Sequence, residues 1–304
     1  MPSLATPDVK LNYLQFGGGE SLVLIHGLGA NLSFWYFGAA RLLARTRNVL
    51  MYDLRGHGRS SIPREGYGLH QMVRDLVDLL DFLGIDRADV AGHSFGGRVA
   101  IALAALYPER VRNLVIADTQ IRALQPPVRL SEWAHWAWWK TELESQGLVD
   151  LPAAESIIDH KLLASLSRAH CNVANQGRSR ISLRARDMGD RGLERWEYLL
   201  ARTSADREFA DESFLVPSTL RTITKPTLLA FGKLSHCLPT AHRLLDYLPN
   251  ARLIVIPGAG HFFPVVKPRF FARVIDAFLL RQERGVAPLE PRRMRRFAGN
   301  RITD

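Results

Sequence analysis

Cysteine is nearly absent. The 304 residues hold two, Cys171 and Cys237, far apart and outside any metal-type spacing. A disulfide framework is therefore excluded, and free thiols in a reducing cytoplasm are expected, with no bound metal. The opening Met1-Pro2-Ser3-Leu4-Ala5 carries neither a basic segment nor an apolar one behind it, so no secretory signal is expected. No apolar run approaches the length of a membrane span, which speaks against a membrane partner. Internal repeats and low-complexity segments are missing.

Acidic residues are outnumbered 30 to 40 by basic ones, giving a net charge of +10. Part of the excess is local: residues 281–304 carry seven arginines against Glu283, Glu290 and Asp304. A nucleic-acid partner would call for a basic face with a recognition motif, and no such motif occurs. The run Pro291-Arg292-Arg293-Met294-Arg295-Arg296 reads as a solvated, mobile tail or as a contact for an acidic partner or surface. Charge does not choose a function here.

What is present is apolar and ordered. A hydrophobic share of 47% supports one large α/β domain or two smaller ones. Strands are expected at residues 9–16, 22–25, 48–52, 88–91, 114–117, 227–231 and 253–256. Helices are expected between them. One runs over 33–45 through Phe34, Phe37, Leu42 and Leu43. Another, over 70–83, places Met72, Val73, Leu76, Leu79, Leu80 and Leu83 on one face, with Arg74, Asp75, Asp78 and Asp81 largely opposite. Further helices follow the serine strand and cover 241–248 and 269–284. Such alternation specifies a mostly parallel central sheet flanked by helices. It breaks between Ile121 and Val216, where helical patterns dominate and four of the six tryptophans cluster at 133–139.

The sharpest local signal is Gly92-His93-Ser94-Phe95-Gly96. The five-residue pattern is weak by itself. Its weight comes from the apolar strand before it and the Ala/Leu-rich helix after it, a context that leaves Ser94 at the tip of a sharp turn.

Four motifs, His26-Gly27-Leu28-Gly29, residues 53–60, Gly92 to Gly96 and Gly258-Ala259-Gly260-His261, occur in an order that resembles the α/β-hydrolase superfamily. The likeness is to its capped branch of esterases, lactonases and C–C hydrolases, and it covers residues 9–118 and 220–280. It implies a core at 1–120 and 217–284, a helical cap at 121–216 and a basic tail at 285–304. It also implies a serine nucleophile, Ser94, with His261 as base and the backbone N–H groups of Leu28 and Phe95 as oxyanion hole. A tight strand exit without catalytic duty is the other reading of His26-Gly27. Residues 53–60, with His57, are expected to brace the site, and His93 to pack or hydrogen-bond below it. His135, His160 and His170 belong to the cap.

The sequence departs from the family at the acid. After the strand at 227–231 the usual pattern is Gly, two residues, then Asp. Here Gly232-Lys233-Leu234 leads to Ser235, with Pro239 holding the register. A serine there could orient the histidine ring but not balance its charge. Relatives of the haloalkane dehalogenase type carry the acid one strand earlier, which is Asp118 in this chain. Asp118 as the relocated acid and Asp118 as an ordinary strand-end residue both remain open. Trp133, Trp136 and Trp139 recur every three residues, so they either pack the cap or wall the substrate. The expected activity is cleavage of a small apolar or cyclic ester, lactone or thioester through an acyl-enzyme, with no cofactor. C–C hydrolysis, acyl transfer and non-catalytic ligand binding are the alternatives. The expected partner is a small molecule, and a homodimer stays open.

Overall fold

The computed structural model describes residues 1–145, 151–162 and 189–285. Cys171, His170 and the basic run after residue 285 lie outside the described residues. Eight strands form one sheet: β1 (Ser3–Ala5), β2 (Lys10–Gly17), β3 (Ser21–Ile25), β4 (Asn48–Tyr52), β5 (Ala88–His93), β6 (Val111–Ala117), β7 (Thr227–Gly232) and β8 (Ala251–Ile256). Their spatial order is β1-β2-β4-β3-β5-β6-β7-β8, with β2 antiparallel to both of its neighbours, β1 and β4, and every other pairing parallel. The chain moves outward from β3 to β4, then returns across β3 to lay down β5. Exits from β3 and β5 therefore diverge, and such a switch point is where open α/β sheets bind ligands.

Alternate residues of the central strands feed two cores. Val23 and Ile25 pack with the helices Leu69–Phe82 and Phe95–Leu106, whereas Leu22 and Leu24 pack with Trp35, Phe271 and Ile275 on the other face. Both faces are covered, which is why these strands read as continuous apolar runs. Full burial of each such Leu or Phe is worth about 1.5–3 kcal/mol.

Two local expectations change. Asp75 does not face water. It is buried and accepts a 2.6 Å hydrogen bond from Arg55 Nε, so the helix at Leu69–Phe82 carries an ion pair on its inner side. The helix expected over 33–45 is broken at Gly38, whose φ of −97° and ψ of −116° are not helical. That break resets the register, buries Trp35 and leaves Phe37 exposed.

The insertion between β6 and β7 is a helical cap. Among the described residues it contains the helices Trp136–Ser145, Gly189–Arg202, Ala205–Ala210 and Pro217–Arg221 and a single antiparallel bridge, Arg129 to Ile157. Trp196, Leu199, Phe209 and Leu215 join the larger core cluster, so this part of the cap is seated on the sheet. Among the described residues no helix is long and apolar enough to cross a membrane.

Candidate active site

Ser94 follows β5 and stands just before the helix Phe95–Leu106, with φ 55° and ψ −121°. A side chain rarely holds this backbone, which costs of order 1–3 kcal/mol and persists only where the surroundings impose it. Here Ser94 N–H donates to Ala117 O at 3.0 Å, and Thr119 Oγ1 donates to Ser94 O at 3.0 Å. The flanking glycines are steric necessities. A Cβ on Gly92 would lie 2.1 Å from Gly96 O, and one on Gly96 would lie 2.3 Å from Ile25 O. Phe95 opens its helix, so its N–H has no acceptor within that helix. Leu28 leaves β3 beside it, and both residues line the cavity above Ser94.

Asp118 directly follows β6, also at positive φ, 50°, and is fully buried. Pairing of Ala117 with Ala230 sets it beside the end of β7. Its Oδ2 accepts the Gly232 N–H at 2.8 Å, and its Oδ1 accepts from the Ser235 hydroxyl and from His261 Nδ1, the latter at 3.0 Å. Burial would raise its pKa, but the hydrogen bond and charge of His261 outweigh burial, with help from Gly232 and Ser235. The carboxyl is held below its ordinary range. An ionised carboxylate can only accept, so Nδ1 of His261 carries the proton and the neutral ring keeps its lone pair on Nε2. Ser235 therefore orients Asp118, not the imidazole. It is held in turn by the Cys237 N–H, which donates to its Oγ at 3.1 Å.

Beneath this lies a layer of buried histidines. His93 donates from Nε2 to His261 O at 2.9 Å, and its Nδ1 has no partner among the described residues. His26 Nε2 accepts the Leu54 N–H at 3.1 Å, while its Nδ1 donates to Gly27 O at 2.8 Å. Burial pushes His26 down to about 4 and His93 and His57 down to about 3, so all three are neutral near pH 7. Asp53 ties the loops together: it accepts from Leu32 N at 2.7 Å, Arg59 N at 2.8 Å and Asn12 Nδ2 at 2.7 Å. Residues 53–60 brace the site by this route, and His57 packs against Trp196 and Phe209.

The cavity over Ser94 has a volume of about 80 Å³ and is lined by His261, Arg98, Arg122, His160 and His236 among others. Trp133 and Trp136 are not in its wall. Trp133 precedes the helix that starts at Trp136 and has extended backbone, so the spacing of three does not put both on one helical face. The Trp133 ring lies 6.2 Å from that of His236, which does line the cavity. The Trp139 side chain lies outside the described residues. Sequence reasoning missed Arg98 and Arg122, which share Glu212: Arg98 Nη1 is 2.8 Å and Arg122 Nε 3.5 Å from its Oε1. Arg98 was detectable in principle, four residues after Ser94 and hence on the same helix face. Arg122 and Glu212 lie in the cap and carry no motif.

A family model for the alpha/beta hydrolase fold matches residues 20–268. The chain belongs to the α/β-hydrolase family. This hydrolase is 28% identical over 277 residues to a 2-hydroxymuconate semialdehyde hydrolase of Pseudomonas sp. (strain CF600), covering 89% of this chain and 90% of that one. It is 30% identical over 264 residues to a putative carbamate hydrolase RutD of Caulobacter sp. (strain K31), covering 86% and 90%. Among solved structures, the enol-lactonase from Burkholderia xenovorans LB400 superposes with a TM-score of 0.64 at 22% identity, covering 92% of this chain and 100% of that one. That structural likeness concerns the fold.

Proposed function

We propose that this hydrolase cleaves a small ester or lactone through an acyl-enzyme on Ser94. The observation that carries the reading is the 3.0 Å contact from His261 Nδ1 to buried Asp118, beside the cavity that Ser94 also lines. With Nδ1–H given to Asp118, His261 takes the Ser94 proton on Nε2 as the hydroxyl attacks the carbonyl. The oxyanion that forms is met by the N–H groups of Leu28 and Phe95, each donor worth about 3–4 kcal/mol at the transition state. Asp118 then balances the imidazolium, which later returns its proton to the leaving group. Water repeats the sequence on the acyl-enzyme. Arg98 and Arg122 line the cavity together with Asp159, and both guanidinium groups face Glu212, so two positive groups are balanced by two carboxylates and the wall carries no net charge from them.

A second reading, hydrolysis of a carbon–carbon bond in a vinylogous diketone, is favoured by the relative described as a 2-hydroxymuconate semialdehyde hydrolase. Both readings use the same residues. The experiment is turnover of a panel of chromogenic esters, lactones and vinylogous diketones. Ser94→Ala should remain folded and lose several orders of magnitude in rate. A fluorophosphonate should add its mass to the intact wild-type chain at Ser94. Equal activity in wild type and Ser94→Ala would defeat the proposal.

A further inference from the structure

We infer that His236, Cys237 and His261, completed by Asp118, bind a thiophilic divalent cation, zinc above all, and that its occupancy switches the hydrolase off. The switching half rests on the catalytic reading above; the binding half stands on geometry alone. Cys237 Sγ lies 3.4 Å from His236 Nε2 and 3.6 Å from His261 Nδ1. One donor atom from each of the three residues lies within 4.8 Å of the others. Asp118 Oδ1, 3.0 Å from the same Nδ1, supplies an oxygen. Zinc bonds of about 2.3 Å to sulfur and about 2.0 Å to nitrogen or oxygen give tetrahedral edges of about 3.3–3.6 Å. The two sulfur–nitrogen separations, 3.4 and 3.6 Å, already match those edges, and the rings of His236 and His261 would turn to bring the remaining donors, within 4.8 Å of one another, onto one ion.

The donor set also discriminates. Two imidazoles, a thiol and a carboxylate suit zinc, whereas magnesium and calcium want oxygen ligands throughout. The loop that carries His236 and Cys237 is pinned. Cys237 N–H donates to Ser235 Oγ, and Gln125 Nε2 donates to His236 O at 2.7 Å. All three residues line the Ser94 cavity; the His261 ring is 14% exposed and is met first, with buried Cys237 behind it.

Occupancy changes the protonation of the catalytic ring. Zinc binds the Nδ1 lone pair, so the single proton of the neutral imidazole must sit on Nε2. The Cys237 thiol releases its proton to solvent, one per zinc bound. A ring protonated at Nε2 cannot accept the Ser94 proton, and Asp118 becomes a metal ligand in place of accepting from His261. No oxidation or group transfer is involved.

The test uses the full-length protein. Equilibrium dialysis against zinc should give one tightly held ion per chain, and cobalt(II) in its place should show the intense near-ultraviolet band of a thiolate ligand. Loss of even an outer-shell partner weakens metal sites about 10- to 100-fold, so removing a ligand should cost at least about tenfold in affinity. Cys237→Ser and His236→Gln are the variants. For each protein the ratio of rates with and without zinc is compared, so a variant's own basal rate does not matter. Wild type should be inhibited and restored by chelation, and both variants should resist zinc at concentrations that silence wild type. Absence of bound zinc, absence of the thiolate band, or undiminished affinity in Cys237→Ser would overturn the binding site. Zinc bound with the thiolate band but no loss of rate would overturn the switch. A chain that binds zinc as described yet turns over no substrate when metal-free would keep the site and remove the hydrolase reading instead.

Discussion

Two buried polar layers meet at the ends of the central strands, and they handle charge in opposite ways. At the exits of β6 and β7, Asp118 is fully buried yet kept ionised, because Gly232 N–H, the Ser235 hydroxyl and His261 all donate to it. Below it, His26, His57 and His93 are equally buried and kept neutral. His57 Nε2 and His93 Nδ1 have no hydrogen-bond partner among the described residues. A buried charge survives only when its lone pairs are met, and a buried base without donors or acceptors to spare sheds its proton. The family position for the acid, Ser235, has joined the first layer as a donor to the carboxylate.

The largest effect that tests this contrast is on stability in acid. Unfolded histidine titrates near 6.5, whereas His26 does so near about 4 and His57 and His93 near about 3 in the folded chain. As pH falls below 6.5 the unfolded state gains protons that the folded state refuses, so stability present above that pH is progressively lost. Each histidine contributes up to about 1.4 kcal/mol per pH unit across its window. Asp118 works lower: its folded pKa is depressed, so its contribution persists until pH falls below the ordinary carboxylate value near 3.9. Thermal melts across the acid range should show the fold failing before Asp118 is protonated. A melting temperature that is flat from neutrality to about pH 4 would contradict the neutral layer.

Next in size is Asp118→Asn. An amide can no longer balance the imidazolium or enforce the tautomer, and kcat should fall about 10²- to 10⁴-fold. A wild-type kcat would mean that the ionised layer has no part in the chemistry.

The double variant Asp118→Asn/Ser235→Asp sharpens the comparison. The hydroxyl of Ser235 and Nδ1 of His261 converge on one oxygen of Asp118, so a carboxylate at 235 starts close to the ring. About tenfold or more of the rate lost in the single variant should return, a coupling measured by the four-protein cycle. No recovery would show that the β7 loop cannot present an acid to His261.

The smallest effect is expected for Ser235→Ala alone. It removes one of three donors to Asp118, a neutral hydroxyl, and should lower kcat by about tenfold, the factor that about 1.5 kcal/mol for such a bond represents. A loss as large as that of Asp118→Asn would make the hydroxyl, not the carboxylate, the group that matters.

The sequence by itself determined the layered sheet, because strand and helix periods are local and both faces of β3, β5 and β6 had to be apolar. It also determined the Ser94 turn, since Gly92 and Gly96 leave no room for a Cβ beside Gly96 O and Ile25 O. His261 was legible from its place after the last strand once the resemblance was drawn. For Asp118 the sequence left two roles open, relocated acid for His261 or ordinary strand-end residue, because residues 118, 235 and 261 are brought together only by strand order and by the pairing of Ala117 with Ala230. For the same reason no pattern announced that Asp75 turns inward to Arg55 or that Arg122, paired with Glu212, reaches the cavity. The break at Gly38, which accompanies the stacking of Trp35 on Phe271, was likewise not marked in the sequence. Burial and pairing of charge depend on which strands become neighbours, and that is decided by the whole chain at once.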